Sequence, residues 1–165
     1  VIAKHVIRNN VRSVINTNDK GNAWWIFNFP FNLINEPIFV LTCDNITNID
    51  FNLIEKDYIK KGKPECFLIP VCPVKRLEGD FIHRRKNIVT KLSRTITSDI
   101  YCSGIQIINP YKINKIVKKT EDFNEVWKKL ISKKKLVVSD IVPNQWFTID
   151  SIKQLKMYKK KIDNE

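Results

Sequence analysis

Two continuous apolar runs constrain what this chain can fold into. Ile38–Leu41 and Cys66–Val71 show no polar alternation, a pattern typical of strands buried on both faces of a sheet. Between them, Phe51–Lys61 carries apolar residues at helical spacing, with Asp50 placed as an N-cap and Gly62 where a helix commonly ends. A buried strand, a helix and a second buried strand predict an α/β layered domain with a mostly parallel sheet.

The remaining elements extend this pattern in both directions. Further strands are predicted at Val1–Ile7, Val11–Ile15, Asp80–His83, Ile88–Leu92, Tyr101–Ile108 and Leu136–Val138. Further helices are predicted within Asn22–Phe29, ended by Pro30, from Pro110 to Lys118, over Glu121–Ser132 and over Ser151–Ile162. The inward face of the last helix is expected to comprise Ile152, Leu155, Tyr158 and Ile162. Because strands crowd the second half, an antiparallel extension of the sheet is expected there.

Length and composition indicate one globular domain over residues 1–165. The chain has 43% hydrophobic and 28% charged residues, which is ordinary for a folded protein. No apolar stretch reaches the ~18 residues that a membrane span needs. The four cysteines lack the paired C-x-x-C spacing of zinc sites, and three lie in apolar runs. This pattern favours buried free thiols and a reducing, cytoplasmic location.

The net charge of +12, from 29 Lys and Arg against 17 Asp and Glu, invites a polyanionic partner. Most of the excess lies in residues 112–161, on the predicted outer faces of two helices, and Lys, Asn and Ile are abundant throughout. Solvated helix surfaces and compositional bias account for such a charge. No helix-turn-helix, zinc motif or RNP-type aromatic motif is present, so nucleic acid is not expected as a partner. Homo-oligomerisation is left open.

Two places in the chain carry residues suited to binding a metal ion or a ligand. Asp44 follows the first apolar run, and open α/β sheets bind ligands just beyond the carboxyl ends of their strands. A carboxylate there can hold Mg²⁺, which binds phosphate oxygens, although a simple turn before Asn45 is the alternative. The loop Asn16–Ala23 contains Gly21, which permits close backbone approach next to the N–H groups of a helix start. A plain polar turn is again the alternative.

Several short segments follow one another in an order and at spacings that are typical of a known protein family. They are Asn16–Ala23, Leu41-Thr42-Cys43-Asp44-Asn45, Asp50-Phe51, Val89-Thr90-Lys91, Tyr101–Ile105 and Trp146–Ser151. Gly21 and Asp44 lie 23 residues apart, which suits one helix, a turn and one strand. In this arrangement the chain resembles, over essentially its whole length, the sugar-phosphate nucleotidyltransferases. The resemblance implies a nucleotide-diphospho-sugar transferase fold, in which a Rossmann-like mixed sheet forms the middle of three layers.

The resemblance also implies an activity and a set of site residues. Enzymes of this family join an NTP to a sugar 1-phosphate, with Mg²⁺ as cofactor, and release pyrophosphate. The resemblance implies nucleotide binding by Asn16, Gly21, Asn22 and Ala23, sugar binding by Cys102, Ser103 and Gly104, and metal binding by Asp44 and Asp150. Lys91 would bind the sugar phosphate, and Arg94 is an alternative residue for the same role. Lys91 and Asp44 are the predicted catalytic residues.

Each of these roles has a structural alternative. Asp150 is equally well placed to cap the closing helix. Lys91 could be a solvated residue of a basic strand. Ser103 and Gly104 could mark a bulge in an edge strand, because glycine inside a strand often does so.

Three positions depart from the family pattern. Cys43 replaces a glycine, Thr90 replaces a glutamate, and Thr148 stands where the family has an acid. The family's opening strand and its Gly-rich loop with Arg and Lys would lie upstream of Val1. The chain would then be the C-terminal two thirds of the family's domain, and this part alone is expected to be inactive. The whole enzyme is expected to serve surface polysaccharide synthesis. The departures favour, as an alternative, a non-catalytic regulatory or assembly subunit of the same fold.

Overall fold

A computed structural model of the chain describes residues 11–75 and 77–162, so the predicted strand Val1–Ile7 lies outside the described residues. Eight strands are present in the described part. They are Ile38–Val40 (β1), Asn45–Asn48 (β2), Cys66–Val71 (β3), Asp80–Arg85 (β4), Ile88–Ser93 (β5), Tyr101–Ile108 (β6), Leu136–Val138 (β7) and Gln145–Thr148 (β8). Six of them form one sheet in the order β1-β6-β3-β7-β5-β4, and β2 and β8 form a separate antiparallel ribbon.

The sheet is mixed, as the resemblance implied, but it is not mostly parallel. Only β3 and β7 pair in parallel among the described strands; every other described pair is antiparallel. All six residues of β3 are buried, which confirms the prediction for Cys66–Val71. The prediction of a parallel strand buried on both faces at Ile38–Leu41 was wrong. β1 pairs antiparallel with β6, ends the described sheet and is half-buried, because an apolar run carries no signal of strand direction or sheet position.

Helices cover both faces of this sheet. The α-helices are Phe51–Lys60 (α1), Pro110–Asn114 (α2), Phe123–Ser132 (α3) and Ile152–Ile162 (α4). One hydrophobic core joins α2, α3 and the 3₁₀ turn Trp24–Phe27 to one face of the sheet. A second core joins α1, α4 and the β2–β8 ribbon to the other face. In β3, Leu68 belongs to the first core and its neighbours Phe67 and Ile69 to the second, as the two-residue period of a strand requires.

The predicted helix ends are found at α1. The Asp50 side chain accepts a hydrogen bond from the Leu53 N–H at 3.0 Å, and Gly62 has a φ of +80° just after the helix. The predicted buried helix in Asn22–Phe29 is limited to one 3₁₀ turn, Trp24–Phe27. The helix predicted over Glu121–Ser132 begins two residues later, after Asp122, whose side chain accepts from the Asn124 N–H at 2.8 Å.

The prediction of a strand at Val11–Ile15 was wrong, and the predicted inward face of α4 is confirmed only at Tyr158. Val11–Ile15 forms no strand, and its apolar side chains are exposed. In α4, Ile152, Leu155 and Ile162 are exposed instead of facing inward. Tyr158, which packs on Phe147 with ring centroids 5.2 Å apart, and Met157 turn toward the core. The side of α4 that faces the core is therefore rotated toward Met157 relative to the predicted face.

The cysteines and the membrane prediction can also be compared with the structure. All four cysteines are free thiols. Cys66 is buried and Cys102 half-buried, whereas Cys43 and Cys72 are exposed because they follow strand ends. No helix in the described ranges is long and apolar enough to cross a membrane.

Candidate functional site

The β2–β8 ribbon brings together two carboxylates that are far apart in the sequence. Asn45 pairs with Thr148, so Asp44 just before β2 and Asp150 just after β8 lie at the same end of the ribbon. The Ile149 N–H donates to the Asp44 carbonyl oxygen at 3.0 Å and continues the pairing. Thr148 Oγ1 lies 3.4 Å from Asp44 Oδ2 and 3.4 Å from Asp150 Oδ2. The two predicted metal ligands therefore face one shared hydroxyl.

The second carboxylate oxygen of Asp44 is suited to a cation. Asp44 Oδ1 is buried and has no hydrogen-bond partner in the described part of the chain. A buried carboxylate oxygen is costly to leave unpaired, so a cation or a water would stabilise it. Mg²⁺ commonly takes one or two protein carboxylates and completes its shell with water and phosphate oxygens. Within the described ranges no group of three His, Cys, Asp or Glu could hold a metal. Mg²⁺ would therefore rely on Asp44 and Asp150, and this pair fits it.

The cap of α4 is provided by a neighbour of Asp150. Ser151 Oγ accepts from the Gln154 N–H at 3.3 Å, which is the bond made by an N-cap side chain. The Gln154 side chain reaches back one residue beyond the N-cap and accepts from the Asp150 N–H at 2.7 Å. The Asp150 carboxylate contacts Thr148 and the Gln154 amide, which lies 3.4 Å away. Because Ser151 caps the helix, the carboxylate of Asp150 is not needed for capping and is available to bind a metal ion.

Asn45 connects three segments around this carboxylate pair. Its Nδ2 donates to Thr42 Oγ1 in the preceding turn and to the Ser103 carbonyl oxygen of β6 at 3.1 Å. Its Oδ1 accepts from Trp146 Nε1 of β8. One side chain thus holds the Asp44 turn against both the sheet and the ribbon.

The predicted sugar-binding residues lie in a bulge of β6. Opposite β3 the register shifts between Leu68 and Pro70, so β6 carries extra residues there. Gly104 has a φ of +80°, and a Cβ at this position would lie 3.1 Å from Thr42 Cγ2. Ser103 Oγ donates to the Ile69 carbonyl oxygen at 3.3 Å. The predicted bulge is therefore present, but β6 is an internal strand and the bulge lies against the turn before Asp44.

Cys102 is the third predicted sugar-binding residue. Burial raises the pKa of its thiol to about 12, so the side chain stays protonated at neutral pH. It packs against the first core, on the same side as Leu92. A protonated, partly packed thiol is suited to forming an apolar wall.

The predicted nucleotide loop is packed against the start of α3. A Cβ on Gly21 would lie 2.1 Å from the Glu121 carbonyl oxygen, so only glycine fits there. The Gly21 N–H donates to Glu121 Oε2 at 3.2 Å, and the Ala23 N–H donates to the Glu121 carbonyl oxygen at 3.0 Å. Asn22 Oδ1 accepts from the Phe123 N–H at 3.0 Å.

These contacts mean that packing on α3 already accounts for the small residues of the loop. Asn16 lies earlier in it, where its Oδ1 accepts from the Asn18 N–H at 3.1 Å and forms a local turn.

Lys91 and its rival Arg94 line one groove of about 550 Å³ between β5 and α3. Arg94 Nε lies 3.3 Å from Asp80 Oδ1, and Asp80 pairs with Cys102 of β6. Lys91 pairs with His83, further along the β4–β5 hairpin. The far wall of the groove includes Asp122, Asn124 and Lys128 of the α3 region. The two cations thus face the helix whose first turn holds the Gly21 loop, and Arg94 is the nearer of the two to the bulge of β6.

The architecture matches solved structures over nearly the whole chain. An inositol-1-phosphate CTP transferase from T. maritima superposes with a TM-score of 0.70 at 17% identity, over 95% of this chain and 69% of that one. HddC from Yersinia pseudotuberculosis, complexed with GMP-PN, gives 0.65 at 17%, over 98% and 73%. A UDP-glucose pyrophosphorylase complexed with UDP-glucose gives 0.63 at 14%, over 96% and 72%. The chain has the nucleotidyltransferase fold.

The likeness lies in the fold and not in close sequence identity. No protein-family model and no curated protein sequence matches this chain. The chain spans about 70% of the length of these three nucleotidyltransferase-fold structures. Their nucleotides differ in the base, so the fold alone does not determine which NTP this chain would bind.

Sequence reasoning missed three features of the site in this nucleotidyltransferase fold. They are the pairing of β2 with β8, the three-way contacts of Asn45 and the cap at Ser151. The segment Asn45–Asn48 has one apolar residue, Ile46, and no alternation, so it carried no periodic signal for a strand. Ser151 followed three residues later by Gln154 is a capping-box pattern.

Proposed function

We propose that the protein is a Mg²⁺-dependent nucleotidyltransferase that joins an NTP to a sugar 1-phosphate or a related phosphorylated alcohol. A phosphate oxygen of the acceptor attacks the α-phosphorus in line, the bond to the bridging oxygen breaks, and pyrophosphate leaves. The observation that carries this proposal is the shared contact of Thr148 with Asp44 and Asp150, next to the unpaired Oδ1 of Asp44.

The residues of the chain have defined tasks in this reaction. Asp44 and Asp150 would hold Mg²⁺, which neutralises phosphate charge when bound. Lys91 binds the acceptor phosphate as a point charge, and Arg94 lines the same groove. Cys102, Ser103 and Gly104 border the acceptor. Gly21, Asn22 and Ala23, with Asn16 before them, contact the base. The product is an activated sugar or alcohol for surface polysaccharide.

The chain spans only part of the length of its structural neighbours, so the proposed activity is that of the full-length protein. We infer that a Gly-rich loop with Arg and Lys precedes Val1 and holds the triphosphate, and that residues 1–165 alone turn over no substrate. The sequence that precedes Val1 in the full-length protein tests the inference of a Gly-rich loop directly. A preceding stretch without such a phosphate loop contradicts the catalytic proposal.

The test of catalysis is pyrophosphate release by the full-length protein with each NTP and a panel of sugar 1-phosphates and phosphorylated alcohols. Asp44→Asn should abolish Mg²⁺-dependent release. Asp50→Asn is the matched control, because Asp50 is a nearby carboxylate that caps α1, and asparagine caps helices as well as aspartate. Equal turnover by Asp44→Asn and wild type would remove Asp44 from the mechanism.

A non-catalytic subunit of the same fold is the second candidate. The packing of Gly21 against Glu121 favours it, since this contact accounts for the glycine without any nucleotide. Thr148 at the position of the family's acid favours it too. Full-length protein that shows neither pyrophosphate release nor a thermal shift with any of the NTPs would support this candidate over the enzyme.

A further inference from the structure

The hydroxyl of Thr148 occupies an unusual place between two carboxylates. The residue is 8% exposed and lies on β8 opposite Asn45. Its Oγ1 lies at the same distance, 3.4 Å, from Asp44 Oδ2 and from Asp150 Oδ2. A threonine hydroxyl carries a single proton, so it donates to one of these oxygens at a time. The distance between Asp44 Oδ2 and Asp150 Oδ2 is therefore at most the sum of these two distances.

Two carboxylates so close to each other repel unless something between them relieves the repulsion. Asp150 is exposed, and its carboxylate contacts Thr148 and the Gln154 amide, each at 3.4 Å, whereas the backbone of Asp44 is fixed by its bond with Ile149. A hydroxyl proton attracts a charged oxygen more strongly than a neutral one, and here the hydroxyl oxygen lies 3.4 Å from both carboxylates. The hydroxyl therefore favours a position of the exposed Asp150 carboxylate beside that of Asp44.

We propose that Thr148 is a positioning residue that holds Asp150 beside Asp44 and thereby assembles a two-carboxylate cation site with Asp44 Oδ1 free for the ion. This inference rests on the proposed function, because it concerns the same site. It explains how a chain with threonine at this position keeps a second carboxylate two residues later. Asp150 lies just after the end of β8, and its Oδ2 still lies 3.4 Å from Thr148 Oγ1.

The direct experiment measures Mn²⁺ binding to the full-length protein without substrates, from the electron paramagnetic resonance signal of free Mn²⁺. Thr148→Val keeps the branched shape and removes the hydroxyl, and should weaken Mn²⁺ binding about tenfold, as expected for one lost hydrogen bond to a charged group. Thr148→Ser keeps the hydroxyl and should bind within about twofold of wild type.

The ribbon offers a matched control. Thr47 lies on the partner strand, and its hydroxyl donates to the Gln145 carbonyl oxygen at 2.9 Å, away from both carboxylates. Thr47→Val removes a hydroxyl from the same ribbon and should leave Mn²⁺ affinity unchanged. If Thr148→Val does not fold, as judged by circular dichroism, Thr148→Ala takes its place. Alanine removes the hydroxyl and adds no metal ligand, so the same weakening is expected.

The outcomes separate this inference from the proposed function. Wild-type binding that Asp44→Asn abolishes and Thr148→Val leaves intact keeps the metal site and overturns the role of Thr148. Equal weakening by Thr47→Val and Thr148→Val also overturns it, because the effect would then come from the ribbon. A wild-type protein that binds no Mn²⁺ overturns both the metal site and the inference.

Discussion

Trp146 Nε1 donates to Asn45 Oδ1 across the β2–β8 ribbon. The same asparagine donates to the Ser103 carbonyl oxygen of the main sheet. The small ribbon is therefore attached to the β6 bulge by one side chain, next to the predicted metal ligand Asp44. The position of Asp44 relative to β6 depends on this chain of contacts.

Trp146→Phe tests that dependence. The change keeps an aromatic ring and removes the donor, so the partly buried Asn45 Oδ1 loses its partner. We expect the free energy of unfolding to fall by about 1 to 3 kcal/mol and the affinity for Mn²⁺ to fall as well. Urea unfolding and Mn²⁺ titration measure the two effects.

Trp127→Phe is the control for this change. Trp127 is equally buried, and its Nε1 donates to Gln106 Oε1 at 3.1 Å on the opposite face of the sheet. A similar loss of stability is expected, with Mn²⁺ affinity unchanged. If both variants bind Mn²⁺ like the wild type, Trp146 has no part in placing Asp44.

Gly104→Ala should destabilise the protein more than Gly62→Ala. Both glycines have a φ of +80°, where a Cβ costs about 1 kcal/mol. At Gly62 nothing lies within 4 Å of the added atom, whereas at Gly104 it meets Thr42 Cγ2 at 3.1 Å. Urea unfolding of the two variants separates the backbone effect from the contact. Equal losses of unfolding free energy in the two variants would show that the Thr42 turn moves to accommodate the added Cβ without an energetic cost.

The fold was largely predictable because buried strands and capped helices leave local signals. The six apolar residues of β3 and the Asp50 cap of α1 are two such signals. Strand direction was not predictable, because the apolar run of β1 looks the same in a parallel and in an antiparallel pair. The exposure of Ile152, Leu155 and Ile162 in α4 was not predictable either, since it depends on which elements pack against the helix.

The candidate site was predictable only in part. The motif order singled out Asp44 and Asp150, and the structure places both beside Thr148. Their proximity depends on the long-range pairing of Asn45–Asn48 with Gln145–Thr148. Nothing in the local sequence of either segment indicates which strand it pairs with. For Gly21, a residue type that suits a nucleotide also suits close packing on Glu121, and only the coordinates show that second contact.

Lys91→Met should raise KM for the phosphorylated acceptor about tenfold or more in the full-length enzyme, because a charged hydrogen bond to phosphate is lost. KM for the NTP should stay unchanged. Lys86→Met, at the exposed tip of the same hairpin, is the control. If Arg94→Met raises KM for the acceptor and Lys91→Met does not, the phosphate is held by the arginine that contacts Asp80.

An ion network on the α1 side of the sheet, in which Asp57 is buried and Asp140 exposed, predicts acid sensitivity. Lys61 Nζ lies 2.7 Å from Asp57 Oδ1 and 2.7 Å from Asp140 Oδ2. Ser139 Oγ donates to Asp57 Oδ2 at 2.6 Å. Burial raises the pKa of Asp57, but the hydrogen bonds from Lys61, Ser139 and the Asp140 N–H outweigh it and hold the pKa below the ordinary 3.8.

Because the pKa of Asp57 is lower in the folded than in the unfolded chain, its contribution to stability is present above pH 4 and is lost as pH falls below it. Asp57→Asn should lower the unfolding free energy by about 3 kcal/mol at pH 7, since it breaks a buried pair, and should flatten the acid decline below pH 4. Urea unfolding at pH 7 and pH 3 measures both effects. Glu125→Gln, which breaks the exposed Glu125–Lys128 pair, should change neither. An acid decline in Asp57→Asn as steep as in the wild type would assign acid sensitivity to other carboxylates.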